Sequence, residues 1–138
     1  MKDIKINYLH FCDAANVDSL GKVSILGIFG RIFLQSVPGI CPKFTIIFNR
    51  GFKNLDKTNN KIELKLFGPN KEELEIKPSI ALDFMVNEAD LKKEGDINLI
   101  LEIVNLEFKS FGKHNLTIYL NGEEIGSKPL LVEERKVN

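Results

Sequence analysis

A chain of 138 residues is the size of one domain and too short for two ordinary ones. With 43% hydrophobic and 28% charged residues it has the composition of a folded globular core, which excludes a disordered chain. Nineteen basic residues balance nineteen acidic ones, and arginine stands only at Arg31, Arg50 and Arg135, so the dense basic face that nucleic-acid binding requires is not expected.

Helix signals are scarce. Alanine, the best helix former, occurs only at positions 14, 15, 81 and 89. Isoleucine and phenylalanine, which favour strands, are abundant. Ile4 to Ala15 reads as a first strand, and Asp18-Ser19-Leu20-Gly21-Lys22 as a turn in which Gly21 can take positive φ. Lys22 to Gln35 reads as a long second strand, with Gly27 and Gly30 marking a bend or bulge. After a turn at Pro38-Gly39, Phe44 to Phe48 is almost wholly apolar, as in a strand covered on both faces.

Ile62, Leu64 and Leu66 alternate with Glu63 and Lys65, the pattern of a half-buried strand. Gly68-Pro69-Asn70 turns the chain into a shorter strand over Glu73 to Ile76. Ile80, Leu82, Phe84 and Val86 then face one way with Asp83 opposite. Asn87 to Gly95 suits a loop helix of two turns at most, with Asn87 placed to cap it. Leu99, Leu101 and Ile103 alternate in one phase and Leu106 and Phe108 in the other, which predicts a bulge near Val104-Asn105. Leu116, Ile118 and Leu120 lead into Asn121-Gly122, a preferred type I′ hairpin pair, and Leu130 to Val132 forms the last strand.

Eight or nine short strands at regular spacing predict an all-β fold: a two-sheet antiparallel sandwich, immunoglobulin-like, with at most one short loop helix. Residues 1–133 make one domain, and 134–138 a polar C-terminal tail. No stretch approaches the roughly 18–20 apolar residues that span a bilayer, so no membrane partner is expected. The N-terminus lacks the apolar core of a secretory signal, and the cytoplasm is the expected compartment.

The segment from Phe11 to Phe29 carries Asp13-Ala14-Ala15-Asn16-Val17-Asp18, then Gly21-Lys22, then Ile25-Leu26-Gly27-Ile28-Phe29. It resembles a family of small bacterial proteins known as a domain of unknown function, whose chains open on a similar AD-x-x-N-x-D-x-x-G-K-x-x-I-L-G-x-F pattern. The closing segment from Gly112 to Val132 is similar too, and the middle is looser. Gly30 stands where the family pattern implies a polar residue. The resemblance implies a cytoplasmic β-domain and no particular chemistry.

Asp13, Asn16 and Asp18 are a candidate ligand site, because three oxygen-bearing side chains at a strand end can chelate a cation. Their spacing is not that of an EF-hand loop, and Asp and Asn equally serve turns by bonding their own backbone, so no metal site is assigned. His10, Cys12, Cys41 and His114 could ligate zinc only if the fold gathered them, and their spacing is not that of a finger. There is no G-x-S-x-G elbow and no phosphate loop. No cofactor is expected, and an enzyme is the weaker reading.

Function as a non-catalytic protein-interaction or assembly module is the better fit, with a small-ligand binder or enzyme at the Asp13–Asp18 end as the alternative. Between Val23 and Val37 only Arg31 is charged. Phe29, Arg31 and Phe33 are therefore the candidate interaction surface, for a protein partner or a second copy of the chain. Denatured without reductant, the chain is expected to titrate two thiols, at Cys12 and Cys41. A Cys12–Cys41 disulfide peptide recovered from freshly alkylated cells would contradict this.

Overall fold

The structure, a computed structural model, describes residues 3–53, 58–76, 79–91 and 93–136. Its strands are β1 (Asp3–Val17), β2 (Val23–Phe29), β3 (Arg31–Leu34), β4 (Gly39–Lys53), β5 (Asn59–Phe67), β6 (Ile80–Met85), β7 (Gly95–Phe108), β8 (Gly112–Leu120) and β9 (Glu123–Glu134). They form a four-stranded sheet in the order β2-β1-β4-β7 and a five-stranded sheet in the order β3-β9-β8-β5-β6. Every pairing is antiparallel except β3 with β9, which is parallel.

The sheets pack face to face. Leu9, Phe11, Phe44, Ile46 and Phe48 of the first sheet meet Ile62, Leu64, Leu66, Leu116, Ile118 and Leu120 of the second in one buried core. Alternation along each strand is what sends these side chains inward and their neighbours out. In β6 the half-buried Ile80, Leu82 and Phe84 face the core, and Asp83 faces out. β9 reaches Glu134, the first residue of the polar tail.

Two hairpins set the register locally. In the β1–β2 turn the Asp18 carboxylate accepts from the backbone N–H of Leu20 at 2.8 Å and of Lys22 at 2.9 Å. Gly21 takes φ +81° there, a conformation that favours glycine. In the β8–β9 turn Asn121 and Gly122 take φ +51° and +84°, as a type I′ turn requires.

The sequence pattern misses an irregularity in β1 and misassigns the one in β7. In β1 the register against β4 shifts between Ile6 and Tyr8. Ile4 and Ile6 before the shift, and Leu9 and Phe11 after it, can then all face the core. In β7 the predicted bulge is absent. The β4–β7 register runs unbroken past this point, leaving out only Pro42 opposite Asn105. Pro42 has no N–H to contribute, and Asn105 takes φ +52°. Both strands turn over together, so Cys41, Leu106 and Phe108 become core residues beyond Phe44 and Ile103.

The expected loop helix is a single 3-10 turn, Glu88–Asp90, with no side-chain cap from Asn87. The expected strand over Glu73 to Ile76 is reduced to one bridge, from Phe67 to Glu73. The predicted long second strand is two: β2 edges the first sheet, the chain crosses at Gly30, and β3 edges the second. Gly30 itself already accepts from Leu131 N–H at 3.0 Å.

Arg50 is the anomaly in the core. Its side chain is fully buried, and none of its guanidinium nitrogens has a hydrogen-bond partner among the described residues. It lies over the Phe84 ring at 3.9 Å and near the Phe52 ring at 5.2 Å. Burial pushes its pKa down to about 10, which still leaves it charged at neutral pH. A desolvated cation–π contact contributes about 2 kcal/mol. Burying a cation with no counter-ion among the described residues costs several kcal/mol, roughly, so the balance is unfavourable. Arg50→Met is therefore expected to unfold in urea at equal or higher concentration, with stability raised by up to about 4 kcal/mol. A loss of more than about 2 kcal/mol would show that the ring contacts outweigh desolvation.

Candidate functional site

Asp13, Asn16 and Asp18 lie along the β1–β2 hairpin, and all three side chains are exposed. Asp18 is engaged in the turn. Asp13 belongs to the β1–β2 ladder at the position where the pairing skips Gly27. Gly27 has φ +68°, and a Cβ built on it would overlap the Asp13 carboxylate. The Asp13 side chain thus lies over the one β2 residue that has no side chain of its own. Among the described residues, no three His, Cys, Asp or Glu side chains gather as a metal site.

Phe29, Arg31 and Phe33 are brought onto one surface. The Phe29 ring is half-buried, 6.3 Å from Phe11 and 6.2 Å from Phe44, and anchors the crossing between the sheets. Arg31 donates to the Glu133 carboxylate at 3.1 Å, an exposed pair that contributes little stability. Phe33 is 56% exposed on β3, while Leu26 and Ile28 on β2 are 69% and 56% exposed. Phe29, Arg31 and Phe33 line a shallow groove with Lys113, Lys128 and Leu131.

β3 has an open side. Gly30 and Leu34 turn their carbonyls to β9, where they accept from Leu131 N–H at 3.0 Å and Arg135 N–H at 2.8 Å. By alternation along a parallel pair, residues 31 and 33 direct their peptide groups the other way. Below the crossing, neither β2 nor β3 covers the side of the sandwich. There the Lys128 ammonium donates to the Leu9 carbonyl at 2.6 Å and ties β9 to β1. It also lies 3.4 Å from His10 Nδ1, and burial together with Lys128 holds the His10 pKa below its ordinary value.

Sequence reasoning missed Lys113, Lys128 and Leu131. Counting outward from the Asn121-Gly122 turn almost finds them, since the turn fixes the β8–β9 register. A register shift between Ile118 and Tyr119 moves every later pair by one, so the count puts Lys113 opposite the wrong residue.

The remaining chemical candidates are dispersed. Cys12 and Cys41 are free and buried, and burial raises both thiol pKa values, so neither is poised as a nucleophile at neutral pH. His114 is buried against Phe108. Glu102 pairs with Lys43 at 3.1 Å, and Glu63 lies 4.0 Å from Lys61. No described helix is long and apolar enough to cross a membrane.

Residues 7–133 match the model of a family described as "Family of unknown function (DUF6941)", and the chain belongs to that family. No curated protein matches it. Among solved structures it is similar to the Pseudomonas fluorescens alkylpurine DNA glycosylase AlkC bound to DNA containing an abasic site analog. That likeness is at 12% identity and TM-score 0.46, covering 94% of this chain. This chain spans 30% of that protein's length.

The residues of the N-terminal sequence pattern have structural duties in one hairpin. Asp18 and Gly21 make its turn, Asp13 covers Gly27, and Phe29 pins its end to the core. Gly27→Ala is expected to lower stability by about 1–3 kcal/mol, because a side chain in that conformation is strained and also meets Asp13. The loss should shrink in an Asp13→Ala background. Equal stability of Gly27→Ala and the parent in urea would contradict the assignment.

Proposed function

We propose that this domain is a non-catalytic protein-binding module that takes an extended, acidic and apolar segment of a partner along its β2–β3 edge. The observation that carries the proposal is that residues 23–34 edge both sheets while leaving Leu26, Ile28 and Phe33 exposed. Natural proteins usually blunt such an edge with charge, and here only Arg31 supplies any. Free peptide groups at residues 31 and 33 would give a partner strand its main-chain bonds. Phe33 and Leu131 would supply apolar anchorage, and Lys113 and Lys128 would favour acidic side chains. The expected setting is the reducing cytoplasm, which suits two buried free thiols. Asp13, Asn16 and Asp18 carry no second reading here: Asp18 is engaged in its turn, and Asp13 and Asn16 are exposed along the hairpin.

A displayed random-peptide library tests this. We expect enrichment of extended peptides that mix apolar and acidic residues. Phe33→Ala should weaken their binding by about tenfold or more, as truncation of a central aromatic anchor does. Leu20→Ala, an equally apolar change at the exposed β1–β2 turn, should leave binding unchanged. Self-association by light scattering that Phe33→Lys abolishes would identify the partner as a second copy. A strict monomer that enriches no peptide, or peptides that bind the Phe33 variants equally well, would overturn the proposal.

A further inference from the structure

The other side of the sandwich, between the β6 edge and the β7 edge, is closed in a different way. Residues 72–76 lie along it. Glu73 bridges to Phe67, Leu74 N–H donates to the Leu66 carbonyl at 2.8 Å, and Leu74 and Ile76 pack against the core. The closure is incomplete. A cleft of about 980 Å³ remains, lined by Leu74, Ile80, Leu82, Leu101 and Ile103, with His114 in its wall. That volume lies at the upper end of the range of small-molecule sites, about 300–1,000 Å³.

His114 gives the cleft its chemistry. The side chain is fully buried, and its Nδ1 lies 3.0 Å from the Gly112 carbonyl. A carbonyl can only accept, so Nδ1 carries a proton, and in that tautomer of the neutral imidazole the lone pair is on Nε2. Among the described residues that Nε2 has no hydrogen-bond partner. The Phe108 ring, edge-on at 5.2 Å, holds the imidazole in place. A buried acceptor left unmet costs about 1–3 kcal/mol, and such groups are uncommon in native folds. A partly apolar cleft and an unmet acceptor therefore coincide on one side chain.

We infer that this cleft binds a neutral, apolar small molecule with one hydrogen-bond donor, a hydroxyl of the alcohol or phenol type, which donates to His114 Nε2. The apolar walls take the hydrocarbon part. Glu72, Glu73, Glu75, Glu102 and Glu107 also line the cleft with Lys109, and this excess of negative charge disfavours anionic amphiphiles such as fatty acids. The site is separate from the β2–β3 edge, and neither depends on the other.

Three probes of one shape separate the contributions: 2-naphthol, 2-methoxynaphthalene, which lacks the donor, and 2-naphthoate, which carries a negative charge. Each is titrated into the full chain and followed by amide chemical shifts. The expected result is binding of 2-naphthol about tenfold tighter than 2-methoxynaphthalene, the effect of one hydrogen bond to a buried acceptor. Shifts should concentrate at residues 101–107 and 114, with 2-naphthoate the weakest ligand. His114→Phe keeps the ring shape and removes the lone pair, so the naphthol preference should fall to about one while the apolar probe still binds. Should that variant fail to fold, Ile80→Trp, which fills the cleft from its rim, should abolish binding of all three probes. No binding of 2-naphthol up to its solubility limit, equal affinity for the two neutral probes, or a preference that survives in His114→Phe would overturn the inference. Shifts from 2-naphthol that map outside the cleft would overturn it too.

Discussion

Two stacked sheets leave two open sides, and the backbone groups along those sides must find partners, water or cover. Here a single stretch, residues 23–34, closes the upper half of one side by edging both sheets in turn. Its crossing at Gly30 fixes where β1 and β9 end up relative to each other, and the Lys128 bond to the Leu9 carbonyl completes the seam below. The same crossing pulls Phe29 into the core against Phe11 and Phe44 while leaving Phe33 in solvent. Among the described residues the opposite side has no crossing strand, and residues 72–76 cover it in part, leaving a cleft. Edge and cleft are thus two outcomes of one geometric problem.

Much of the fold was legible in the sequence because it is written in short-range patterns. Alternation at Ile62, Leu64 and Leu66 and at Ile80, Leu82 and Phe84 marks β5 and β6, and Asn121-Gly122 marks the closing hairpin. Phase reversals were harder to read. The change of phase beyond Ile103 is visible, but a bulge and a joint turnover of two strands give the same one-dimensional pattern. Only the unbroken β4–β7 register with Pro42 opposite Asn105 separates them. The shift at Asn7 in β1 was invisible, since apolar residues flank it on both phases. The strand order, and the parallel pairing of β3 with β9, depend on long-range contacts that no local pattern encodes.

The candidate surface was half legible. An uncharged run containing Phe29, Arg31 and Phe33 is a sequence feature, and so is the glycine that breaks it. That the run lies on an edge, and that Lys113, Lys128 and Leu131 border it, comes from sheet order alone. Arg50 and His114 were not singled out as buried polar groups, because a residue type says nothing of its solvation. Among the described residues both carry buried polar atoms without a hydrogen-bond partner, and such local conflicts concentrate where a chain serves something other than stability. Arg50 has the Phe52 and Phe84 rings for company, whereas His114 borders a cleft.

The central claim is that residues 23–34 form an edge whose outer peptide groups are unpaired. Residue-resolved amide hydrogen exchange of the isolated chain tests it directly, because alternation makes a specific pattern. Ile32 and Leu34 face β9, so their amides should exchange slowly. Arg31 and Phe33 face outward, so theirs should exchange at nearly the rate of an unstructured peptide. Uniform protection from 31 to 34 in a dilute monomer would mean that another element covers the strand. Uniformly fast exchange would mean that β3 does not pair with β9 at all. Either result would contradict the account.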